Sequence, residues 1–414
     1  MFKEVSNKLN LAEREEKILE FWSEKKIFQK TLDQHKDKKE FVFYEGPPTA
    51  NGRPGIHHVM SRTVKDVVCR FKSMQGYLVR RKAGWDTHGL PVEIEVEKAL
   101  KINGKEDIEK YGVEKLNQHC KDSVFHYKKE WDTLTERIGY WLDLENPYIT
   151  FTNDYIESVW WILKEIWKKD LLYQGFKILP YCPRCETPIS SHEVSQGYKD
   201  VKDPSVYVRV KRKDKENAYF LVWTTTPWTL ISNVALAVGA DIDYLEVESK
   251  GDTYIIAGAR LGDLFTDENY TIIDRIKGRD LEGIGYERIF DFVPVEKKAF
   301  YVIPGDFVTT SDGTGIVHIA PAFGEDDYQV GLKYDLPLLR PVNASGRFED
   351  IVTDYKNQFV KDADLQIIED LRSQGKLVKK LKIEHSYPHC WRCQTPLLYY
   401  ARESWYIRTS KHKA

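Results

Sequence analysis

The sequence predicts an α/β chain into which a β-rich block is inserted. Three observations carry this. Residues 41–79 run apolar stretch, Gly/Pro-rich loop, helical apolar repeat, apolar stretch, which is the order of a βαβ unit. β-type runs crowd the region from 206 to 319. Two C-x-x-C pairs, Cys182/Cys185 and Cys390/Cys393, flank that region. The chain has 414 residues, which suggests two or three domains, and its 42% hydrophobic content excludes wholesale disorder. Lys+Arg is 62 against 64 for Asp+Glu, so a nucleic-acid partner has to be held by local basic patches. No apolar run approaches the roughly 18 residues of a membrane span. The opening MFKEVSNKLN lacks an apolar signal core, and a cytoplasmic protein without membrane contact is expected.

Taken in order, residues 8–30 read as one amphipathic helix, with Leu11, Ile18, Leu19 and Trp22 on one side, and 32–40 as a polar connector. FVFY at 41–44 has the length of a buried strand. After the loop Gly46–Gly55, Met60, Val64, Val67, Val68, Phe71 and Met74 recur at helical spacing, and Gly76 is placed to end that helix. Residues 77–79 look like the next strand. Residues 93–145 and 155–172 read as mostly helical, the latter rich in tryptophan. Then come β-type runs at 206–212 and 219–224, a probable hairpin by pattern, and at 244–247, 254–256, 270–273, 299–303 and 315–319.

The cysteine pairs sit in one repeated pattern, P-x-C-x-R-C-[EQ]-T-P-[IL], at 180–189 and again at 388–397. Six fixed positions are hard to match by accident. In a large chain without a secretion signal, thiols at this spacing suggest a metal rather than disulfides. Each pair can give two thiolates to a tetrahedral Zn²⁺, so Cys182, Cys185, Cys390 and Cys393 are the expected ligands of a structural zinc. The bland alternative is two pairs of ordinary thiols. His192 and His389 lie nearby and are left out of the ligand set. Joined by a metal, the two pairs pin the ends of everything between them, as in a domain inserted into another.

The loop Gly46–Gly55 precedes a helix start, where free N–H groups and the helix dipole favour anions. It is neither a P-loop nor a dinucleotide fingerprint. His57 and His58 stand at that start, where imidazoles can donate to phosphate oxygens. By itself, such a histidine pair is more often structural or solvated.

YEGPPTANG at 44–52 followed by histidines, GWDTHGLPVE at 84–93, WTTTPWTL at 223–230, GTGIVHIAPAFG at 313–324 and SWYI at 404–407 together resemble the class I aminoacyl-tRNA synthetases, within them the isoleucyl group, over essentially the whole chain. The valyl and leucyl relatives usually continue the threonine block T-T-R-P with an acidic residue, where this chain has Thr226, Pro227 and Trp228. The resemblance implies a Rossmann-like nucleotide-binding half-domain that activates isoleucine with ATP and Mg²⁺ for transfer to tRNA(Ile), an inserted β-rich editing domain, and a zinc-knuckle stem. It assigns Gly46, Pro47, Asn51, Gly52 and Gly55 to ATP and substrate binding, and His57, His58 and Asp86 to the catalytic site, with Asp86 pairing the substrate ammonium. Helix N-capping is the structural alternative for Asp86. The family's H-x-G-H motif is changed here to Gly55-Ile-His-His58. That exchange resembles second-type bacterial isoleucyl enzymes and reads as an altered working site, with a reshaped pocket for adenylate-like inhibitors.

Editing answers a physical need. Isoleucine and valine differ by one methylene, worth about 1–3 kcal/mol in a pocket, and this pair is itself the standard illustration of that limit. Thr224, Thr225, Thr226 and Trp228 resemble one wall of the hydrolytic site, and His318 and Asp327 the other, with Asp326 the rival of Asp327. Alone, the threonine run is also ordinary sheet composition. Gly324 is expected to lend the flexibility that carries the carboxylate inward. The implied organisation is a helical extension (1–40), the first part of the catalytic domain (41–180), a stem (181–199 and 386–400), the editing domain (200–385) and a return segment (401–414). Nothing matches the second ATP signature K-M-S-K-S or an anticodon-binding region. The sequence therefore reads as the N-terminal part of a ligase that the resemblance implies is a monomer, and this part is not expected to aminoacylate by itself. The competing readings are a zinc-stapled module that only docks the tRNA acceptor end, and a free-standing Val-tRNA deacylase.

Overall fold

The computed structural model describes residues 10–49, 51–266 and 270–413, so residues 8 and 9 of the expected first helix and Ala50 of the loop fall outside it. The chain divides into two compact units, one ending at Leu172 and one beginning at Tyr173.

In the first unit the expected N-terminal helix is two helices, α1 (Leu11–Glu24) and α2 (Ile27–Gln34). The break falls at Lys26, which adopts a left-handed backbone with φ 48°. The turn lets both segments reach Trp141: Trp22 meets it edge-on at 5.1 Å and Phe28 stacks on it at 5.8 Å. Next come β1 (Phe43–Tyr44), α3 (Ile56–Met74), β2 (Arg81–Trp85), α4 (Leu90–Leu100), α5 (Lys105–Tyr111), α6 (Val113–Arg137), β3 (Asp143–Ile149) and α7 (Asn153–Lys168). The three strands form a parallel sheet in the order β1-β2-β3, with Phe43 opposite Arg81 and Gly84 opposite Tyr148. Parallel neighbours require crossovers, which α3 and α4–α6 supply.

The second strand lies downstream of the expected 77–79, where only Leu78 makes an isolated bridge. Its charged start hid it. Arg81 is buried, with its guanidinium 3.0 Å from Asp66 and over the rings of Phe28 and Trp141. A paired and stacked arginine can occupy a strand position that hydropathy assigns to solvent. Behind the sheet, Trp85, Val92, Val124 and Trp131 form the main core of this unit. The apolar repeat of α3 is helical as read, but Met60, Val64, Val67, Phe71 and Met74 face outward. On α7, Trp160, Trp161 and Trp167 are each more than 60% exposed.

The second unit opens with β4 (Leu172–Cys182), β5 (Thr187–Pro188), α8 (Ser191–Val194), β6 (Tyr198–Lys211) and β7 (Ala218–Thr224). A 3₁₀ turn, Pro227–Ser232, follows, then β8 (Ala235–Val238), β9 (Asp243–Ser249), β10 (Asp252–Ala257), α9 (Leu261–Leu264), β11 (Thr271–Lys277), β12 (Tyr301–Pro304) and β13 (Ile316–Ile319). The unit ends with α10 (Glu325–Lys333), α11 (Val360–Ser373), β14 (Leu377–Pro388) and β15 (Leu398–Ile407). β6 and β7 form the expected antiparallel hairpin. Among the described residues the largest sheet runs β11-β9-β10-β7-β6-β14, and β12-β8-β13 and β15-β4-β5 form smaller ones. The largest apolar core of the unit includes Val208, Phe220, Trp228, Tyr286, Phe348 and Ile367, with smaller clusters around Ile303 and around Val247. No described helix is long and apolar enough to cross a membrane.

Gly84 shows how tightly the parallel sheet is fitted. A Cβ there would stand 2.1 Å from the Tyr148 ring, whose hydroxyl donates to the carbonyl of Glu45. Gly84→Ala should therefore lower stability by about 1–3 kcal/mol, the usual cost of overpacking. Tyr148→Ala in the same chain should recover part of that loss, as read from denaturant midpoints of the single and double variants.

Candidate functional site

The carboxyl ends of β1 and β2 bring the first group of expected residues together. The loop from Gly46 leaves β1 and Asp86 follows β2; Thr49 Oγ1 donates to Asp86 Oδ2 at 3.2 Å, and Asp86 N–H donates to Pro48 O at 3.1 Å. Ligands of open α/β sheets sit at such an edge. Pro47 and Asn51 are half-buried and Gly46 exposed in that loop. Trp131 Nε1 donates to Gly52 O at 2.9 Å, so α6 holds the loop from behind. Beyond β2, Thr87 N–H and His88 Nδ1 both meet Thr150 Oγ1, at 3.0 and 2.8 Å, which ties the loop after Asp86 to the end of β3.

His58 is held in one tautomer. Gly55 N–H donates to its Nδ1 at 2.9 Å, which leaves the single proton of the neutral ring on Nε2. Burial holds its pKa below the ordinary value, with His57 and Arg62 adding to the shift, so the ring stays neutral. Its ring meets that of Trp131 in a T-shaped contact, with centroids 4.6 Å apart. His57 is exposed, its ring 3.8 Å from that of His58. A Cβ on Gly55 would lie 2.9 Å from His57 Cε1. The two exchanged positions of the motif thus share one space. Beneath them Glu45 is buried, accepting from Tyr140 Oη at 2.5 Å and pairing with Lys65.

The second group is the four cysteines. The sulfurs of Cys182, Cys185, Cys390 and Cys393 all lie within 4.8 Å of one another. A tetrahedron of sulfurs at about 2.3 Å from a zinc has edges of about 3.8 Å, so this donor set suits a thiophilic metal. The repeated pattern folds as a repeated hairpin: Tyr181 pairs with Pro188 as His389 pairs with Pro396. Ile189 N–H donates to Pro180 O as Leu397 N–H does to Pro388 O. Glu186 and Gln394, each following a second cysteine, share a left-handed backbone, φ 51° and 64°. His192 is exposed near Gln196, and His389 Nδ1 faces the Tyr387 carbonyl at 3.0 Å.

The third group gathers where β7 and β13 end. Thr224 Oγ1 lies 3.2 Å from Thr226 Oγ1, Thr226 Oγ1 lies 3.2 Å from Thr229 Oγ1, and Thr229 Oγ1 lies 3.2 Å from His318 Nε2. Thr225 stands half-buried within this run. The Trp228 indole packs edge-on to Phe323 at 4.7 Å. Trp228 Nε1 and His318 Nδ1 are buried without a partner among the described residues. Burial lowers the His318 pKa to about 4, so it is neutral at pH 7. Asp327, in the first turn of α10, accepts from Ala320 N–H at 2.7 Å, while Asp326 is exposed. Gly324 is extended, φ −140°, and its contribution is room rather than flexibility: a Cβ there would stand 2.8 Å from Asp327 Cγ.

A family model of class I tRNA synthetases (I, L, M and V) matches residues 17–414. The chain belongs to this family. It is 55% identical to the isoleucine–tRNA ligase of Clostridium acetobutylicum (strain ATCC 824) and 53% identical to that of Clostridium novyi (strain NT), over 99% of its own length and 39% of theirs. It is 52% identical to an isoleucine–tRNA ligase 2 of Bacillus thuringiensis subsp. konkukian, covering 40% of that protein. The chain thus spans about two fifths of the length of the curated relatives it matches.

Several residues of this synthetase chain escaped the sequence reading. Thr87, Thr150 and Trp131 act on the sheet-edge site from other elements, and Thr229 completes the hydroxyl series. Thr229 follows the threonine block by three positions, and a hydroxyl one 3₁₀ turn beyond Thr226 was a usable signal.

Burial of the Asp327 carboxyl predicts a pH-dependent difference in stability. Burial pushes its pKa from 3.8 up to about 6, Asp326 adds to the rise, and the Ala320 N–H opposes it. A carboxyl raised on folding contributes stability that is fully present below its unfolded value and lost as pH rises through its folded value. Asp327→Asn should therefore be more stable than the parent at pH 8 by up to about 3 kcal/mol. The gap should close toward pH 4, as measured by denaturant unfolding at the two pH values.

Proposed function

We propose that this chain is the N-terminal part of an isoleucine–tRNA ligase, holding one half of a Rossmann-like adenylate site, a zinc stem and a hydrolytic editing site. The observation that carries the reading is the meeting of Thr49 and Asp86 at one parallel sheet edge, in a chain 55% identical to a named isoleucine–tRNA ligase. Asp86 offers a carboxylate for the α-ammonium of isoleucine. Neutral His58 presents Nε2–H, a donor for ATP phosphate oxygens, and the loop from Gly46 through Gly55, with Pro47, Asn51 and Gly52, supplies the wall and the close backbone approach. Charge on the phosphates calls for Mg²⁺ brought with ATP. The whole ligase joins isoleucine to AMP with loss of pyrophosphate, then transfers the aminoacyl group to the 3′ end of tRNA(Ile).

Hydrolysis fits the third group. In a mischarged valyl ester, water adds to the carbonyl carbon, the bond to the ribose oxygen breaks, and that oxygen takes the proton. Thr224, Thr225, Thr226 and Thr229 position the ester and water by hydroxyl hydrogen bonds. His318, neutral, exchanges a hydrogen bond with Thr229 through Nε2. A polar substrate or water satisfies the buried Trp228 Nε1 and His318 Nδ1. Asp327, largely ionised at pH 7, accepts the valyl ammonium. Zinc held by the four cysteines would supply no chemistry to either reaction and would bind the stem together. Asp327→Ala should reduce Val-tRNA deacylation by the 414-residue chain at least about 100-fold, because a buried ammonium loses its only charge partner. A quench-flow or filter assay of remaining Val-tRNA reads this directly, and a mutant clearing Val-tRNA at the parental rate removes Asp327 from the site.

Metal analysis of the purified chain should give one zinc per molecule. Cys390→Ser should release it to chelators at far lower concentration, since a three-thiolate site holds zinc more weakly. Four freely titrating thiols and no bound zinc would count against the stem as read.

A further inference from the structure

α11 packs against the 3₁₀ turn that carries Trp228 and Thr229. From its first turn but one, Asp364 reaches that turn and accepts the Trp228 N–H on Oδ1 at 2.9 Å, across 136 positions of sequence. Asp364 is only 6% exposed. The Trp228 amide opens the turn after Pro227, so it has no carbonyl of its own to bind. A small neutral cap would satisfy it locally. Here the acceptor comes instead from a distant helix, at the expense of burying a carboxyl group.

The turn is consequently gripped on two sides. Asp364 holds its backbone, and the Thr229 hydroxyl reaches His318 on the other side. Between them lies Thr226, whose hydroxyl is 3.2 Å from those of both Thr224 and Thr229. The groups facing Asp364 are Lys361 and Asp362 on α11, Asp203 on β6 and Tyr387 on β14. Lys361 is turned to Asp203 at 3.1 Å and lies over the Tyr387 ring. Burial pushes the Asp364 pKa up to about 8, with Asp203 and Asp362 adding to the rise against the Trp228 N–H and Lys361, so near neutrality it acts as a neutral acid accepting through one oxygen.

We propose that Asp364 is a positioning residue of the hydrolytic site: by holding the Trp228 backbone it keeps the Thr226, Thr229 and His318 hydrogen bonds in register, without itself touching substrate. The proposal rests on the editing reading above. It requires an acceptor oxygen at this place and no charge.

The test compares Asp364→Ala and Asp364→Asn in the 414-residue chain, with Val-tRNA as substrate and uncatalysed ester hydrolysis subtracted. Asn keeps the oxygen and should retain the rate within about threefold. Ala should lower kcat about tenfold or more with little change in KM, since misplacement of about 1 Å can cost up to 100-fold. Amide exchange at Trp228 should quicken in Ala and not in Asn. If Ala does not fold, Asp364→Leu, which fills the space without offering an acceptor to the Trp228 N–H, takes its place with the same expected loss of rate. An Ala variant with full rate, or an Asn variant as slow as Ala, overturns the proposal. A parental chain inert toward Val-tRNA refutes the editing reading itself, and shows before any variant is compared.

Discussion

The junction of four sulfurs is the constraint on which the second unit depends. Cys182 and Cys393 stand 211 positions apart, with their sulfurs 3.4 Å from each other. Closing a loop of that length costs about 5 kcal/mol in chain entropy, on top of a constant. A zinc held there would offset that cost, since its binding by four thiolates is worth about 10–16 kcal/mol in small peptides. The cysteine junction also bears on the backbone around it. His389 N–H donates to Gly197 O, and the next pairs are Pro388 with Tyr198, Tyr387 with Lys199, and so on along the long β6–β14 ribbon. Sheet pairing slips easily by one residue unless something fixes it. Two hairpins locked at the base set the register of the ribbon, and with it the placement of Lys361 against Asp203 and of α11 against the threonine turn.

The two candidate chemistries solve opposite electrostatic problems with similar means. At the sheet edge, burial keeps His58 neutral, with His57 and Arg62 adding to the effect, and its proton sits on Nε2. In the second unit, a histidine is kept neutral by burial alone, and two carboxyls are raised by burial while a third group, a backbone amide, competes for each. These shifts follow from where the fold places the side chains rather than from neighbours in sequence.

That distinction decides what the sequence could reveal. The cysteine repeat was legible as a pattern, because six of its ten positions recur, and the structure repeats its hydrogen bonds with it. The threonine, histidine and aspartate blocks were legible as motifs, and the structure brings Thr229 of the 3₁₀ turn into contact with His318 of β13, 89 positions on. Asp364 carried no local signal at all. β2 was displaced because Arg81 reads as exposed, and β14 was missed because its lysines sit on a half-exposed strand whose apolar alternation is weak. The break between α1 and α2 depends on Trp141, more than a hundred residues away. Local periodicity does not register partners of that kind.

The outward tryptophans of α7 have an optical consequence. Trp85, Trp131 and Trp228 are buried, whereas Trp160, Trp161 and Trp167 meet water. Indoles in water emit at longer wavelength than buried ones, so the spectrum of this chain carries a red component drawn largely from one helix. Anything that comes to cover that helix will announce itself as a blue shift, without a label and without disturbing the threonine turn, whose own indole is already buried.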